Sequence, residues 1–386
     1  MPEPIRTSLF QAIAAATLLC GSGGPLRAGV DFNGQASAWM TLNADRYAGS
    51  LKGLRYIPDW TAKIPVSEHW ALDAELSINA AASGRLDAWN PSGSDGTIKA
   101  YRAWLRASTP QFEVRLGLQK LNFGSATLLR PLMWFDRMDA RDPLQLTDGV
   151  TALLLRYTFL DNANVWLWGL AGNDDLKGWD FIPSTKSDPE YGGRVQLPVP
   201  MGEAAVSAHH RRMDLDRKLF GWIPLGSGSQ PEDRVALDGK WDIGVGLWGE
   251  AAWIRRRIQI PALSHQRFYN LGADYTFQAG NGLHVLTEYF LTVGSETAWG
   301  LGEEISFSAL SLSYPFGLLD TATGMAYFDW QNREWYRFVN WQRKTDNWCF
   351  YLIGFWNPGR FQIYQNLQPD NPFSGRGIQV MAVWNH

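Results

Sequence analysis

Residues 71–80 read ALDAELSINA, and the fold turns on this stretch. Leu72, Ala74, Leu76 and Ile78 alternate with Asp73, Glu75, Ser77 and Asn79. That period of two puts successive side chains on opposite faces of a β-strand. Two carboxylates and an amide on one face are costly unless that face is wet. The opposite face asks for apolar surroundings, so the stretch fits the wall of a water-filled barrel in a membrane.

The same alternation recurs in both directions. Counting the first stretch, candidate strands fall at 32–42, 54–64, 71–80, 97–107, 111–123, 150–159, 164–171, 190–197, 203–212, 233–241, 245–256, 266–277, 283–292, 304–314, 321–330, 335–343, 347–356 and 376–385, which makes 18. The connections sort by parity. Even-numbered ones such as Ser108-Thr109-Pro110, Asp161-Asn162-Ala163 and Asp242-Ile243-Gly244 are tight. Odd-numbered ones, among them 83–96, 124–149, 172–189, 213–232 and 357–375, are long, and only the connection near Asn332 is too short for its parity. Short turns on one side and long loops on the other characterise outer-membrane barrels. The expected fold is an all-β transmembrane antiparallel barrel of 18 strands, with 16 as the competing count, and an inward-folded third external loop.

Composition agrees. The chain has 20 Trp, 13 Tyr, 19 Phe and 38 Gly at a mean hydropathy of −0.23. It is rich in aromatics without being hydrophobic on average, as when only alternate residues meet lipid and aromatic rings gather at both interfaces. At the N-terminus, Arg6 precedes an apolar run from Leu9 to Cys20, and Leu26-Arg27-Ala28 resembles a cleavage site. Residues 1–28 therefore read as a secretory signal and 29–386 as the barrel. Acylation of Cys20 is disfavoured by Leu19, which stands where a small residue is needed. Loss of residues 1–28 removes two of 35 basic and one of 38 acidic residues, leaving a net charge of −4. A near-balanced chain of this kind argues against nucleic acid as a partner. Cys349 would remain alone, without an intrachain disulfide.

The third long connection differs from the others in kind. Loops 83–96 and 213–232 are rich in Gly, Ser, Asp and Pro, whereas this one carries Leu128, Leu129, Leu132, Met133, Trp134, Phe135 and Leu144. Such a loop would not stay spread in water. Folded inward, it would pack those side chains on the wall and turn Arg130, Asp136, Arg137, Asp139, Arg141 and Asp142 toward a channel, where facing charges tune which solutes pass. The competing reading makes these six a set of ion pairs that only pin the loop. On the strands, Arg102, Arg106, Arg115, Glu113, Arg194 and Arg211 are expected on the lumen wall. Glu113 together with Asp73, Glu75, Glu250 and Glu288 would offset the Arg charge, with Tyr101, Ala103 and Leu105 on the opposite face.

Gly117-Leu118-Gln119 running to Phe123-Gly124, the Arg/Asp-bearing insert and the return through Asp148-Gly149-Val150 resemble the third-loop region of outer-membrane porins, especially alginate-export-type channels. The resemblance implies an 18-stranded monomeric channel for small or anionic solutes. Leu118 stands where a basic residue is common in that group, and the chain ends Trp384-Asn385-His386 instead of on an aromatic residue. No cofactor and no metal is implied. The expected partners are outer-membrane lipid, small solutes and the assembly machinery of the outer membrane.

Other features carry less. Asn173, Asp174, Asp175, Asp180, Asp188 and Glu190 lack the spacing of a Ca²⁺ loop. His209 and His210 are adjacent, so a strand turns them to opposite faces and they cannot share a metal. A rim hydrolase would need a Ser or acid beside His265 or His284, and no such motif accompanies either. A non-conducting barrel, acting as a surface receptor or as a structural partner of an envelope complex, is the second reading.

Overall fold

The structure, a computed structural model, describes residues 29–44, 50–87, 90–217, 226–358 and 373–386. The expected signal segment and Cys20 lie outside the described residues. In chain order the strands are β1 (Gly29–Asn43), β2 (Ser50–Pro65), β3 (Ala71–Asp87), β4 (Asn90–Ser108), β5 (Phe112–Gln119), β6 (Val150–Thr158), β7 (Asn164–Leu170), β8 (Glu190–Val199) and β9 (Gly202–Asp214). They continue as β10 (Ser229–Asp242), β11 (Gly246–Arg256), β12 (His265–Phe277), β13 (Leu283–Ser295), β14 (Glu303–Pro315), β15 (Asp320–Asp329), β16 (Glu334–Lys344), β17 (Trp348–Trp356) and β18 (Arg376–Asn385). Each pairs antiparallel with its sequence neighbours, and β1 pairs with β18. The sheet is a closed barrel of 18 strands. Closure leaves every strand with two neighbours, as an apolar solvent requires.

Alternation sets the two faces. The outer face exposes Leu54, Leu116, Leu167, Val206, Leu237, Leu271, Leu352 and Val380. A belt of that extent is stable only against hydrocarbon. Next to the short turns, ring pairs such as Tyr157–Phe159 and Tyr275–Phe277 meet edge to face at 4.8 Å. The turns themselves are tight enough to force Asn162 and Met201 to φ of 69° and 59°. No helix among the described residues is long and apolar enough to cross a membrane.

Two features depart from the sequence reading. First, most of 83–96 is strand: β3 runs to Asp87 and β4 begins at Asn90, so this connection is a tall hairpin and not a spread loop. Its Gly/Ser/Asp/Pro content imitates a loop. Second, Ser77 pairs with Arg102 but Ile78 pairs with Ala100, which leaves Tyr101 as the extra residue of a β-bulge. A bulge re-aims a side chain. Tyr101 was expected on the face opposite the lumen wall; it lines polar cavities together with Asn79, Lys99 and Glu75.

Candidate functional site

Segment 120–149 leaves β5 at Gln119 and returns at Val150. Its partners lie far round the barrel. Ser125 and Ala126 donate their backbone N–H groups to Glu250 Oε1 of β11 at 2.5 and 2.7 Å. Thr127 and Leu129 donate theirs to Glu288 of β13 at 2.6 and 2.7 Å, and Leu128 donates to the same carboxylate. Asn270 of β12 donates to the Leu129 carbonyl at 2.8 Å. Two carboxylates thus receive five successive amides. Gly124 permits the approach: with φ +92°, a Cβ there would lie 2.5 Å from Glu250 Oε1.

Around these anchors the apolar residues of the segment pack. Leu121, Leu128, Leu129, Leu132, Trp134 and Phe135 are buried. Phe135 meets Trp168 and His209 edge to face at 5.4 and 5.1 Å, and Phe123 stacks on Trp168 at 5.7 Å. The charged residues divide. Arg130 and Asp136 are buried and paired at 3.3 Å, and Trp179 Nε1 donates to the Arg130 carbonyl. Arg141, also buried, pairs with Asp139 at 2.7 Å and lies over the rings of Phe338 and Phe373. These three buried residues were expected to face an open channel. Burial against wall and ring instead makes Arg130, Asp136 and Arg141 pins of the segment. Arg137, Asp139 and Asp142 stay partly exposed.

A second buried charge group ties residues 177–190 to the strands. Glu232, fully buried, accepts from Arg211, Arg234 and Arg256, each at 2.5 Å. Asp180 takes both Arg234 and Arg211. Lys177 pairs with Glu190 at 2.8 Å, and Glu190 also meets His209 Nε2 at 3.1 Å. Burial pushes the Lys177 ammonium down from its ordinary value, against the pull of Glu190. Arg194 is bound by Asp238 at 2.6 and 2.8 Å. Arg194 and Arg211, expected on a solvated wall, are therefore neutralised in place. Arg102 is buried and donates to the Thr147 carbonyl, while Arg106 pairs with Asp73 and Arg115 with Glu113.

Polar space remains beside β2–β4. A cavity of about 1030 Å³ is bounded by Arg55, Lys99, Arg137, Asp142 and Asp175. A second cavity, of about 350 Å³, is bounded by Asp59, Glu75, Ser77, Asn385 and His386. Tyr101 and Leu146 line both. Both spaces therefore abut these two residues, which makes Tyr101 the candidate for a narrow place between them. Arg55, Lys99 and Asp59 were not singled out from sequence, and Tyr101 was placed on the other face; strand parity could have given Arg55 and Asp59, but a bulge moves Tyr101 and has no local signal. Replacing Tyr101 by Ala is expected to widen this place, giving faster uptake of larger neutral sugars in a liposome-swelling assay. Unchanged size exclusion would take Tyr101 out of the narrow place.

The remaining candidates resolve as follows. Of the acids of 172–190, Asp174 is used by Arg217, Asp188 by Arg212, and Asp180 and Glu190 as above, while Asp175 lines the larger cavity. No group of His, Cys, Asp and Glu among the described residues is arranged to hold a metal. His209 is buried on the inner face and His210 lies on the outer face beside Asp233. His284 meets Asp274, and His265 lies 3.1 Å from Ser264 Oγ, which itself donates to the Pro261 carbonyl. Cys349 is buried in the inner cluster.

No family model matches the chain, and no curated protein matches it in sequence. Solved structures do match in fold. OccAB2 of Acinetobacter baumannii aligns at a TM-score of 0.53 and 12% identity, over 94% of this chain and 99% of that one. OmpF of Salmonella typhi, in complex with daunomycin, gives 0.52 and 10% over 92% and 97%. An anion-selective porin from Comamonas acidovorans gives 0.50 and 13% over 93% and 100%. At such identities the likeness is one of fold: that of the outer-membrane β-barrels, with porins as neighbours. The narrower likeness to alginate-export-type channels is not what these neighbours carry.

Proposed function

We propose that the chain is an outer-membrane channel through which small solutes diffuse, narrowed by segment 124–148 folded into the lumen. The observation that carries this reading is the pair of cavities that share Tyr101 and Leu146 in their linings, with β2–β4, the segment and residues 172–177 among their walls. A segment that leaves β5, binds Glu250 and Glu288 on β11 and β13, and returns to β6 runs as a chord across a closed barrel. The passage then lies off-centre. Purified protein in a planar bilayer is expected to give stepwise conductance; a silent bilayer with folded protein would overturn the reading.

A preference for anions is the finer part of the proposal. Lys99, Lys177 and Arg217 on the larger cavity are tied to Asp148, Glu190 and Asp174. Arg55 and Arg137 are left to act on a passing solute, with Asp142 and Asp175 opposing them. Burial pushes the Asp142 carboxyl up from its ordinary value, so it gains its proton at a higher pH than a free carboxyl. Acidification therefore removes negative charge from this wall. Reversal potentials in a salt gradient are expected to move toward anion preference as pH falls, and toward cation preference in Arg55→Ala/Arg137→Ala. Identical potentials across these conditions would discard charge selection at this wall. The alternative of a non-conducting receptor draws on the aromatic packing of Phe123, Trp134, Phe135 and Trp168, which fills one side of the barrel. We further propose that the channel acts as a monomer, placed in the membrane by the outer-membrane assembly machinery.

A further inference from the structure

The outer face at β11 and β12 carries three guanidinium groups at the long-loop rim, two of which, Arg255 and Arg257, the barrel does not use. On β11 the inner face is buried from Trp248 to Arg256, and Arg255 stands exposed on the other face above Trp253 and Ala251. Among the described residues the Arg255 and Arg257 side chains have no hydrogen bond or ion pair; Arg257 is held only through its backbone, to the Pro231 carbonyl. Arg267 pairs across the strands with Trp253, and Arg255 with His265. That register sets Arg255 and Arg267 on a diagonal, about 7–8 Å apart at the backbone. Arg267 donates one nitrogen to the Gly300 carbonyl, and its Nε is buried. Two acids bound the group: Asp233, opposite Arg255, is taken by His210 at 2.6 Å, and Glu304 lies across Val293 from Arg267.

Below the guanidinium groups the surface changes in the order that a lipid does. Trp253 meets Tyr269 and Trp299 edge to face at 6.2 and 5.9 Å, forming an aromatic step of the kind found at headgroup level. Beneath it Ala204, Gly239, Gly249 and Ala251 leave an apolar groove of about 860 Å³ between the larger Leu237 and Leu271. Tyr269 belongs to both the step and the groove wall.

We propose that this face binds one phosphorylated lipid of the outer leaflet, its phosphate held by Arg255, Arg257 and Arg267 and an acyl chain seated in the groove. Guanidinium groups match phosphate oxygens in geometry and charge. Those at a membrane interface are drawn to anionic headgroups rather than into hydrocarbon. Inorganic phosphate would meet the same cations but has nothing to place in the groove, so the chemistry selects a lipid.

The test is native mass spectrometry of the full chain in detergent, titrated with a bisphosphorylated, multiply acylated glucosamine disaccharide. One lipid per chain is expected to survive activation. Arg255→Gln/Arg257→Gln/Arg267→Gln should weaken retention by about a hundredfold, since each cation near a charged membrane surface adds a comparable increment. Ala251→Trp, which fills the groove and leaves the charges, should weaken it as well. The dephosphorylated lipid should bind wild type no better than the triple variant binds the phosphorylated one. Millimolar inorganic phosphate should not displace the lipid. Retention by the triple variant at the wild-type level, equal binding of the dephosphorylated lipid, or full displacement by phosphate would each overturn the proposal. If the triple variant does not fold, Arg255→Gln alone decides: its exposed, unpartnered side chain supports no packing, and a several-fold loss is expected, with no loss counting against the site.

Discussion

Glu250→Ala/Glu288→Ala is expected to loosen segment 120–149 and raise single-channel conductance by roughly twofold or more, because a wider lumen carries more ions. The two carboxylates accept the amides of Ser125, Ala126, Thr127, Leu128 and Leu129. Alanine leaves all five without these acceptors, and on the buried Ala126, Leu128 and Leu129 each unsatisfied amide costs about 1–3 kcal/mol. That loss weakens the hold of Ser125–Leu129 on β11–β13, while the buried apolar side chains and the Asn270 bond to the Leu129 carbonyl remain. Glu288→Gln separates charge from geometry: the amide keeps one acceptor oxygen and should fall between wild type and the double variant. Conductance at the wild-type level in a folded double variant would mean that the segment does not limit the passage.

Glu232→Ala is expected to cost the barrel about 3–5 kcal/mol, the range for removing one partner of a buried charge group. Glu232 is fully buried and receives Arg211, Arg234 and Arg256. Without it three guanidinium groups face one another, and Asp180 remains for only two of them. The measurement is the unfolding midpoint in urea from detergent micelles. Lys99→Ala is the contrast, since the Lys99–Asp148 pair is about half exposed on each side and such surface pairs contribute roughly 0–1 kcal/mol. Equal midpoints for the two variants would show that the buried group is not what holds residues 177–190 against β9–β11.

The barrel was legible because its signal is local. All 18 strands overlap the stretches that alternation marks, although β5 stops at Gln119 and not at 123, and the short connection near Asn332 is a tight turn, with Arg333 at φ 54°. Where the reading failed, the cause was physical in each case. The residues at 83–96 have loop composition but are carried as a hairpin by pairing with β2 and with each other, as Arg85 opposite Leu51 and Gly93 shows. Tyr101 changes face because one extra residue enters β4, and no side-chain pattern announces a bulge. Arg130 and Arg141 have the composition of a solvent-facing loop and are nonetheless buried, since an aromatic wall and a carboxylate within reach can take a guanidinium out of water.

By itself, the sequence determined that the chain alternates between a wet and an apolar face, how often it turns, and that one long connection is too apolar to stay in water. These follow from the two-residue repeat of an extended backbone, which each stretch expresses without reference to the rest. The tertiary structure alone decided that Glu250 and Glu288 anchor that connection, and that polar cavities lie beside β2–β4 at Tyr101. It also decided that Arg255, Arg257 and Arg267 share one outward patch. Such contacts join residues as many as 161 positions apart. They exist only once closure of the barrel fixes which strands face one another.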